Sequence, residues 1–403
     1  MNKANRKKRI LYHYMLGGEA GGSDTCLYLL LKYLDQLKYE PFLLHLDKSK
    51  FLEELKAIGI KIIPMPEKIQ ARLHYQFNKN AKAINQPQKK TGFTKSILNR
   101  LGGFGLFLSS LKDVIKRLSQ TINYAIIIIK NKIDIVHTNH YLTGDKPMLL
   151  AAIILKKKVI SHNRGLYGPD IIDRFLSKYI DQIVSMSDFS TSVYVKGGIP
   201  ETRSKTIYDG IDLEKFIPSA TESEKIIISC VGRFEKWKGQ QVLVEAAITI
   251  VKELPDIKFL FVGTGDNENN IRIQVNNNDL EKYFEFTGHV TNVKDYMEKS
   301  TIIVHTSIEP EPFGMVIIEA MALEKPVIAT NFGGPLEIID HEINGFLIPP
   351  NSPTILAEYI LRLVKNSDLR KQIGKKAREK VIKKFDVRDY VKHIEEVYEE
   401  VSK

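Results

Sequence analysis

The chain has 403 residues, of which 43% are hydrophobic and 27% charged, with a net charge of +11. That length is too great for one ordinary core and suits two domains of about 200 residues each. The apolar run Ala125–Ile129 is stopped by Lys130, and no run approaches the roughly 18 residues of a membrane-spanning helix, so a spanning protein is not expected.

The charge is uneven. Residues 1–210 carry +17 and the remainder −6, which gives the two halves different partners. The basic start, MNKANRKKRILYHYMLGG, resembles a signal peptide only in its first residues: its apolar part is short and carries His13, with Glu19 and Asp24 following. A first strand of a cytoplasmic domain is expected there. Cys26 and Cys230 lie far apart in apolar runs without CxxC spacing, and are read as reduced core thiols.

In chain order, the first half alternates β-rich runs with helical stretches: Lys8–Met15, helical Asp24–Gln36, then Pro41–His45, Asp134–Thr138, Lys158–His162 and Asp181–Met186. After a linker near 216–224 the pattern restarts with Lys225–Val231, Lys258–Val262, Phe284–Gly288, Thr301–His305, Pro326–Thr330 and Phe346–Pro349. Strands alternating with helices predict two doubly wound α/β domains with parallel sheets. Residues 67–121 stand apart, with 11 Lys/Arg against two acids. This insertion reads equally as a face for an anionic membrane surface or as a helix pair with a solvated basic side.

Three clusters carry chemistry. In Glu311-Pro-Phe-Gly-Met-Val-Ile-Ile-Glu319, proline and glycine break helix propensity before the helical run Met315–Leu323. A helix N-terminus near Gly314 would offer backbone N–H groups to an anion such as a diphosphate. Glu311 and Glu319 would repel phosphate, but can accept hydrogen bonds from hydroxyls on either side of it. Arg233 and Lys238, in VGRFEKWKG at a strand's carboxyl end, sit where open α/β sheets bind ligands and can contact phosphate oxygens. The glycines of Leu16-Gly-Gly-Glu-Ala-Gly-Gly-Ser-Asp24 permit close backbone approach, but the spacing is not GxGxxG, which disfavours a plain nicotinamide-binding domain.

Together these residues, with KPVIATNFGG, NGFLIPP, FVGTG and the stretch Ser204–Phe216, resemble the retaining glycosyltransferases of family 4, also called glycosyl transferases group 1. The resemblance spans nearly the whole chain except about 67–121. It implies α/β GT-B architecture, two Rossmann-like doubly wound domains facing a central cleft: an N-terminal acceptor-binding domain over 1–217, a nucleotide-sugar-binding domain over 218–385, and a C-terminal helix at 386–403 packing back on the first. It implies that Arg233 and Lys238 hold the donor diphosphate, that Glu319 binds the ribose, and that Glu311, with the backbone of Phe313, Gly314 and Met315, contacts the transferred sugar. Gly21 and Gly22 would approach the donor from the first domain. His162 resembles the family's first-domain histidine beside the sugar; His140 and Arg164 are candidate acceptor contacts, and His137 is read as structural. The sequence departs from the family at Glu324-Lys325, where a glycine is usual, and at Asp209, where asparagine is usual.

The expected activity is retaining, metal-independent transfer from a nucleotide-diphosphate sugar to a glycan or lipid-linked acceptor in cell-surface polysaccharide or glycolipid synthesis, by a cytoplasmic protein on the inner face of the plasma membrane. No DxD motif is present, and no cofactor or metal is expected. Three alternatives stand beside it. A nucleotide-sugar epimerase or a phosphorylase shares the architecture, although no lysine lies in a recognisable pyridoxal-phosphate context. Nucleic-acid binding is suggested by basic charge alone and lacks any recognition motif, so no specific nucleic acid is expected.

Overall fold

The computed structural model describes residues 6–14, 21–45, 50–65, 117–140, 142, 146–219 and 225–403. The expectation for residues 67–121 falls outside them up to residue 116. The chain forms two compact units: Met1–Val184 with Tyr194–Lys205 and Glu396–Lys403, and Ser185–Val193 with Thr206–Glu395.

The first unit is built on a parallel sheet of seven strands: β1 (Lys8–His13), β2 (Tyr39–His45), β3 (Lys61–Pro64), β4 (Ile135–His140), β5 (Lys158–Asn163), β6 (Gln182–Ser185) and β7 (Ser204–Thr206). Their spatial order is β3-β2-β1-β4-β5-β6-β7. Helices cover both faces, so the central strands read as near-continuous buried runs; every residue of β4 is buried. Tyr12 lies beside His137, and His137 beside Ile160. Helix α1 (Gly22–Tyr33) follows β1, α2 (Lys50–Ala57) follows β2, and helical residues 117–130, here α3, lead to β4. Next come α4 (Lys146–Ile154), α5 (Ile171–Ser177) and α6 (Asp188–Lys196).

The second unit holds β8 (Ile227–Val231), α7 (Gln240–Glu253), β9 (Lys258–Val262), α8 (Glu268–Asn277), β10 (Phe284–Phe286), α9 (Val293–Lys299) and β11 (Ile302–His305). It continues with α10 (Met315–Ala322), β12 (Val327–Thr330), α11 (Pro335–Ile338), β13 (Phe346–Ile348), α12 (Pro353–Lys365) and α13 (Ser367–Lys384). Its six-stranded sheet runs β10-β9-β8-β11-β12-β13. One face packs Phe259, Phe261 and Leu243 into a core, and the other packs Ile303, Ile317 and Phe385. The last helix, α14 (Val387–Ser402), starts in the second unit and ends in the first.

The sequence reading missed β3 and β7. β3 is a four-residue edge strand, half-exposed and ending in a proline, and β7 has three residues, so neither produces an apolar run long enough to recognise. The expected boundaries at 217 and 385 also differ from the crossings observed at 184, 193, 205 and 395. The reason is visible at the start of α6, where Glu337 accepts the N–H groups of Asp188 and Phe189, both at 2.8 Å. Ser187 donates to the carbonyl of Pro312 at 2.6 Å. These bonds hold a short piece of chain against the second unit although its neighbours in sequence belong to the first.

Candidate active site

In the second sheet the strand order reverses between β8 and β11, and crevices of this kind, at the carboxyl ends of parallel strands, are where open α/β sheets take ligands. The loop after β8 carries Arg233 and Lys238, and the loop after β11 carries Glu311. The structure brings the last two together. Glu311 is 8% exposed; its Oε2 accepts from Lys238 Nζ at 2.6 Å and from Ser307 Oγ at 3.2 Å, and lies 2.9 Å from His305 Nε2. Burial works against the charge, yet the Lys238 ammonium and the His305 hydrogen bond outweigh it and hold the carboxyl well below the ordinary carboxylate range. Lys238 also lies 4.1 Å from the centre of the Trp237 ring. Arg233 is not part of this cluster: its side chain is 69% exposed and pairs with Glu235 at 2.8 Å.

Glycine sets the loop that carries Glu311. Gly333 has φ +89°, and a Cβ there would lie 2.3 Å from the Glu311 carbonyl oxygen. The backbones are joined by Glu311 N–H to Phe332 O at 3.1 Å and Gly334 N–H to Glu311 O at 2.8 Å. The FGG stretch after β12 is therefore the bed on which Glu311 rests.

Gly314, with φ +115°, precedes the first turn of α10, as the break in helix propensity predicts. Phe313 is buried, and Glu319 lies in the second turn of that helix, half-buried. Desolvation pushes the Glu319 carboxyl up to about 7, with Lys215 opposing.

In the first unit the order reverses between β1 and β4. Gly21 precedes α1 and Gly22 opens it; the Gly21 N–H is taken by the Asp24 carboxylate at 2.7 Å, which also accepts from Tyr14 at 2.5 Å. His140 ends β4, and its carbonyl accepts the Arg164 N–H. The Arg164 side chain donates to Asn139 at 3.0 Å. His162, on β5, is fully buried and stacks on His137 with centroids 5.6 Å apart. Burial first, then Arg164, drives both imidazoles down, His137 to about 3 and His162 well below its usual value, so both are neutral at pH 7. His137 Nδ1 lies 2.7 Å from the Tyr398 hydroxyl, which is in turn 2.7 Å from that of Tyr12.

A family model described as glycosyl transferases group 1 matches residues 212–380, and one described as glycosyltransferase family 4 matches 91–215. The N-acetyl-alpha-D-glucosaminyl L-malate synthase of Bacillus anthracis is 30% identical over 299 residues, covering 68% of this chain and 76% of its own. The chain belongs to the group 1 glycosyltransferases. The crystal structure of a glycosyltransferase from Rickettsia africae superposes with a TM-score of 0.77 at 25% identity, over 99% of both chains. Anabaena HepE, solved with UDP and glucose, shares the fold with a TM-score of 0.76 at 21% identity, over 97% of this chain and 99% of that one. Two Rossmann-like units of this kind are the GT-B architecture.

Within this glycosyltransferase, the sequence missed three contributors: His305 and Ser307, which hold Glu311, and Lys215, which faces Glu319. His305 had a signal, a histidine at the carboxyl end of a strand six positions before an acid. Lys215 had none, since its proximity to α10 is purely tertiary.

The raised carboxyl of Glu319 yields a pH prediction. A group whose folded pKa lies above its unfolded value contributes stability that is complete below about 4.5 and lost as pH rises through about 7. Glu319→Gln is therefore expected to raise the melting temperature at pH 8, by about 2–4 °C, and to change it little at pH 5. Equal shifts at both pH values, read by differential scanning fluorimetry, would contradict the assignment.

Proposed function

We propose that this glycosyltransferase transfers a sugar, with retention and without a metal, from a nucleotide-diphosphate sugar to a glycan or lipid-linked acceptor. Its product would serve cell-surface polysaccharide or glycolipid synthesis at the cytoplasmic face of an anionic membrane. One observation carries the reading: a buried carboxylate, Glu311, is kept ionised by Lys238, His305 and Ser307 at a topological switch point, three residues before a helix N-terminus. That N-terminus, at Gly314 and Met315, suits a diphosphate. Glu311 then accepts from hydroxyls of the transferred sugar on one side, and Glu319 from a ribose diol on the other. UDP and glucose in HepE are ligands of matching chemistry.

Lys238, beside the leaving diphosphate, stabilises the charge that grows as the glycosidic bond breaks, and Arg233 joins it by exchanging Glu235 for a phosphate oxygen. Positioned cations in these places perform the neutralisation that a metal would otherwise supply. His162 is neutral, and its ring, fully buried against His137, would have to be uncovered by donor binding to serve as a hydrogen-bonding partner of the sugar and not as a cation. Gly21 and Gly22, at the start of α1, are proposed as donor contacts, and His140 and Arg164 as acceptor contacts. No carboxylate among the described residues of the first unit is assigned the role of nucleophile, so departure and attack would share one face of the sugar and the anomeric configuration would be retained.

The test is product analysis. A panel of nucleotide sugars is incubated with acceptor in the presence of EDTA, and the new linkage is examined by NMR. Transfer that survives chelation, with the donor's anomeric configuration, is expected; inversion, loss of activity with EDTA, or epimerised donor without transfer would overturn the reading.

A further inference from the structure

Helix α3 leaves an unusual face open. Leu118, Ile122, Ile126 and Ile129 are 55%, 52%, 55% and 60% exposed, and their spacing of four, four and three places them on one stripe about 16 Å long. The opposite side of the helix is conventional, with Tyr124 and Ile128 in the core of the first unit. Residues 117–130 include no acid, and cations stand at both ends of the stripe, Arg117 at one and Lys130 at the other.

The stripe runs into a basic cavity. Ile129 lines a space of about 560 Å³ together with Arg6, Arg9, Lys132, Asp134 and Lys157. Asp134 pairs with Arg6 at 2.7 Å, and Arg9 pairs with Glu40 at 2.8 Å, so Lys132 and Lys157 carry the excess charge. Asp134 and Lys157 precede β4 and β5, which puts the cavity at the amino edge of the sheet, away from the strand ends that carry His140 and His162.

We infer that this face is a docking surface for an anionic lipid bilayer, with the α3 stripe entering the acyl boundary and the Lys132–Lys157 cavity receiving a lipid phosphate. Four exposed branched residues have no use against a nucleic-acid backbone, whereas apolar side chains rimmed by cations are what an interfacial helix presents to charged lipid. A second copy fits poorly. Two-fold pairing of the stripes sets Arg117 of one chain against the Lys130 end of the other, cation against cation. The inference rests on the membrane part of the proposed function and names the surface responsible; it is independent of how the sugar is transferred.

The full-length protein is tested by flotation with vesicles of phosphatidylcholine alone and of phosphatidylcholine mixed with phosphatidylglycerol. Salt-sensitive binding to the mixed vesicles only is expected, weakened about tenfold by Ile122→Ser with Ile126→Ser, and by Lys132→Glu with Lys157→Glu. Ile122, Ile126 and Lys132 are exposed and Lys157 is half-buried, and the Arg6–Asp134 and Arg9–Glu40 ion pairs do not involve them, so melting temperatures and donor binding should change little. Wild-type protein that ignores anionic vesicles sinks both this inference and the membrane part of the function. Wild-type binding that both double variants retain sinks the inference alone. Three other results also overturn it: a wild-type dimer that the serine variant dissolves, affinity for nucleic acid without vesicle binding, or binding of inorganic phosphate without vesicle binding.

Discussion

Replacing Lys238 by alanine is expected to reduce transfer by about 10²–10³-fold and to cost about 3 kcal/mol of stability. The side chains of Lys238 and Glu311 are only 20% and 10% exposed, and they meet at 2.6 Å. Removing the ammonium strands a carboxylate that burial already disfavours, and in the proposed function it would also deprive the diphosphate of a cation at the point where charge develops. The double variant Lys238→Ala, Glu311→Ala separates these effects. It should regain most of the lost stability, because no uncompensated charge remains, yet stay inactive. A double variant less stable than Lys238→Ala alone, in thermal or urea denaturation, would show that the pair does not govern the fold of this loop.

The two glutamates are expected to fail in different ways. Glu311 sits in the loop before α10, and in the proposed function its loss would remove hydrogen bonds to the transferred sugar that strengthen as the transition state forms. Glu311→Ala is expected to lower kcat by about 100-fold or more, while affinity for a nucleoside diphosphate, which lacks that sugar, stays within about threefold. Glu319 lies four positions into α10. If it accepts from two ribose hydroxyls, Glu319→Ala weakens the same nucleoside diphosphate by about tenfold or more.

Much of this arrangement was legible in the sequence because it depends on local chemistry. Apolar runs such as Lys258–Val262 and Ile302–His305 form strands in place, and Pro312 with Gly314 marks the start of α10. What stayed hidden depends on distance along the chain. Lys238 meets Glu311 across 73 positions, so the sequence placed both near a donor without showing that they pair, and it grouped Arg233 with Lys238 although Arg233 turns to Glu235. His137 read as structural; its place between the His162 ring and Tyr398, 261 positions away, has no local signature. The glycines of NFGG were visible as a motif, but their reason, the Glu311 carbonyl 2.3 Å from where a Gly333 Cβ would stand, exists only once β11 and β12 lie side by side.

The most direct test of the Glu311–Glu319 division is a calorimetric titration of the cognate nucleoside diphosphate into wild type, Glu311→Ala and Glu319→Ala, with transfer rates measured on the same preparations. The account predicts near wild-type affinity with lost transfer for Glu311→Ala, and weakened affinity for Glu319→Ala. The reverse pattern, with nucleotide binding lost in Glu311→Ala and intact in Glu319→Ala, would contradict it.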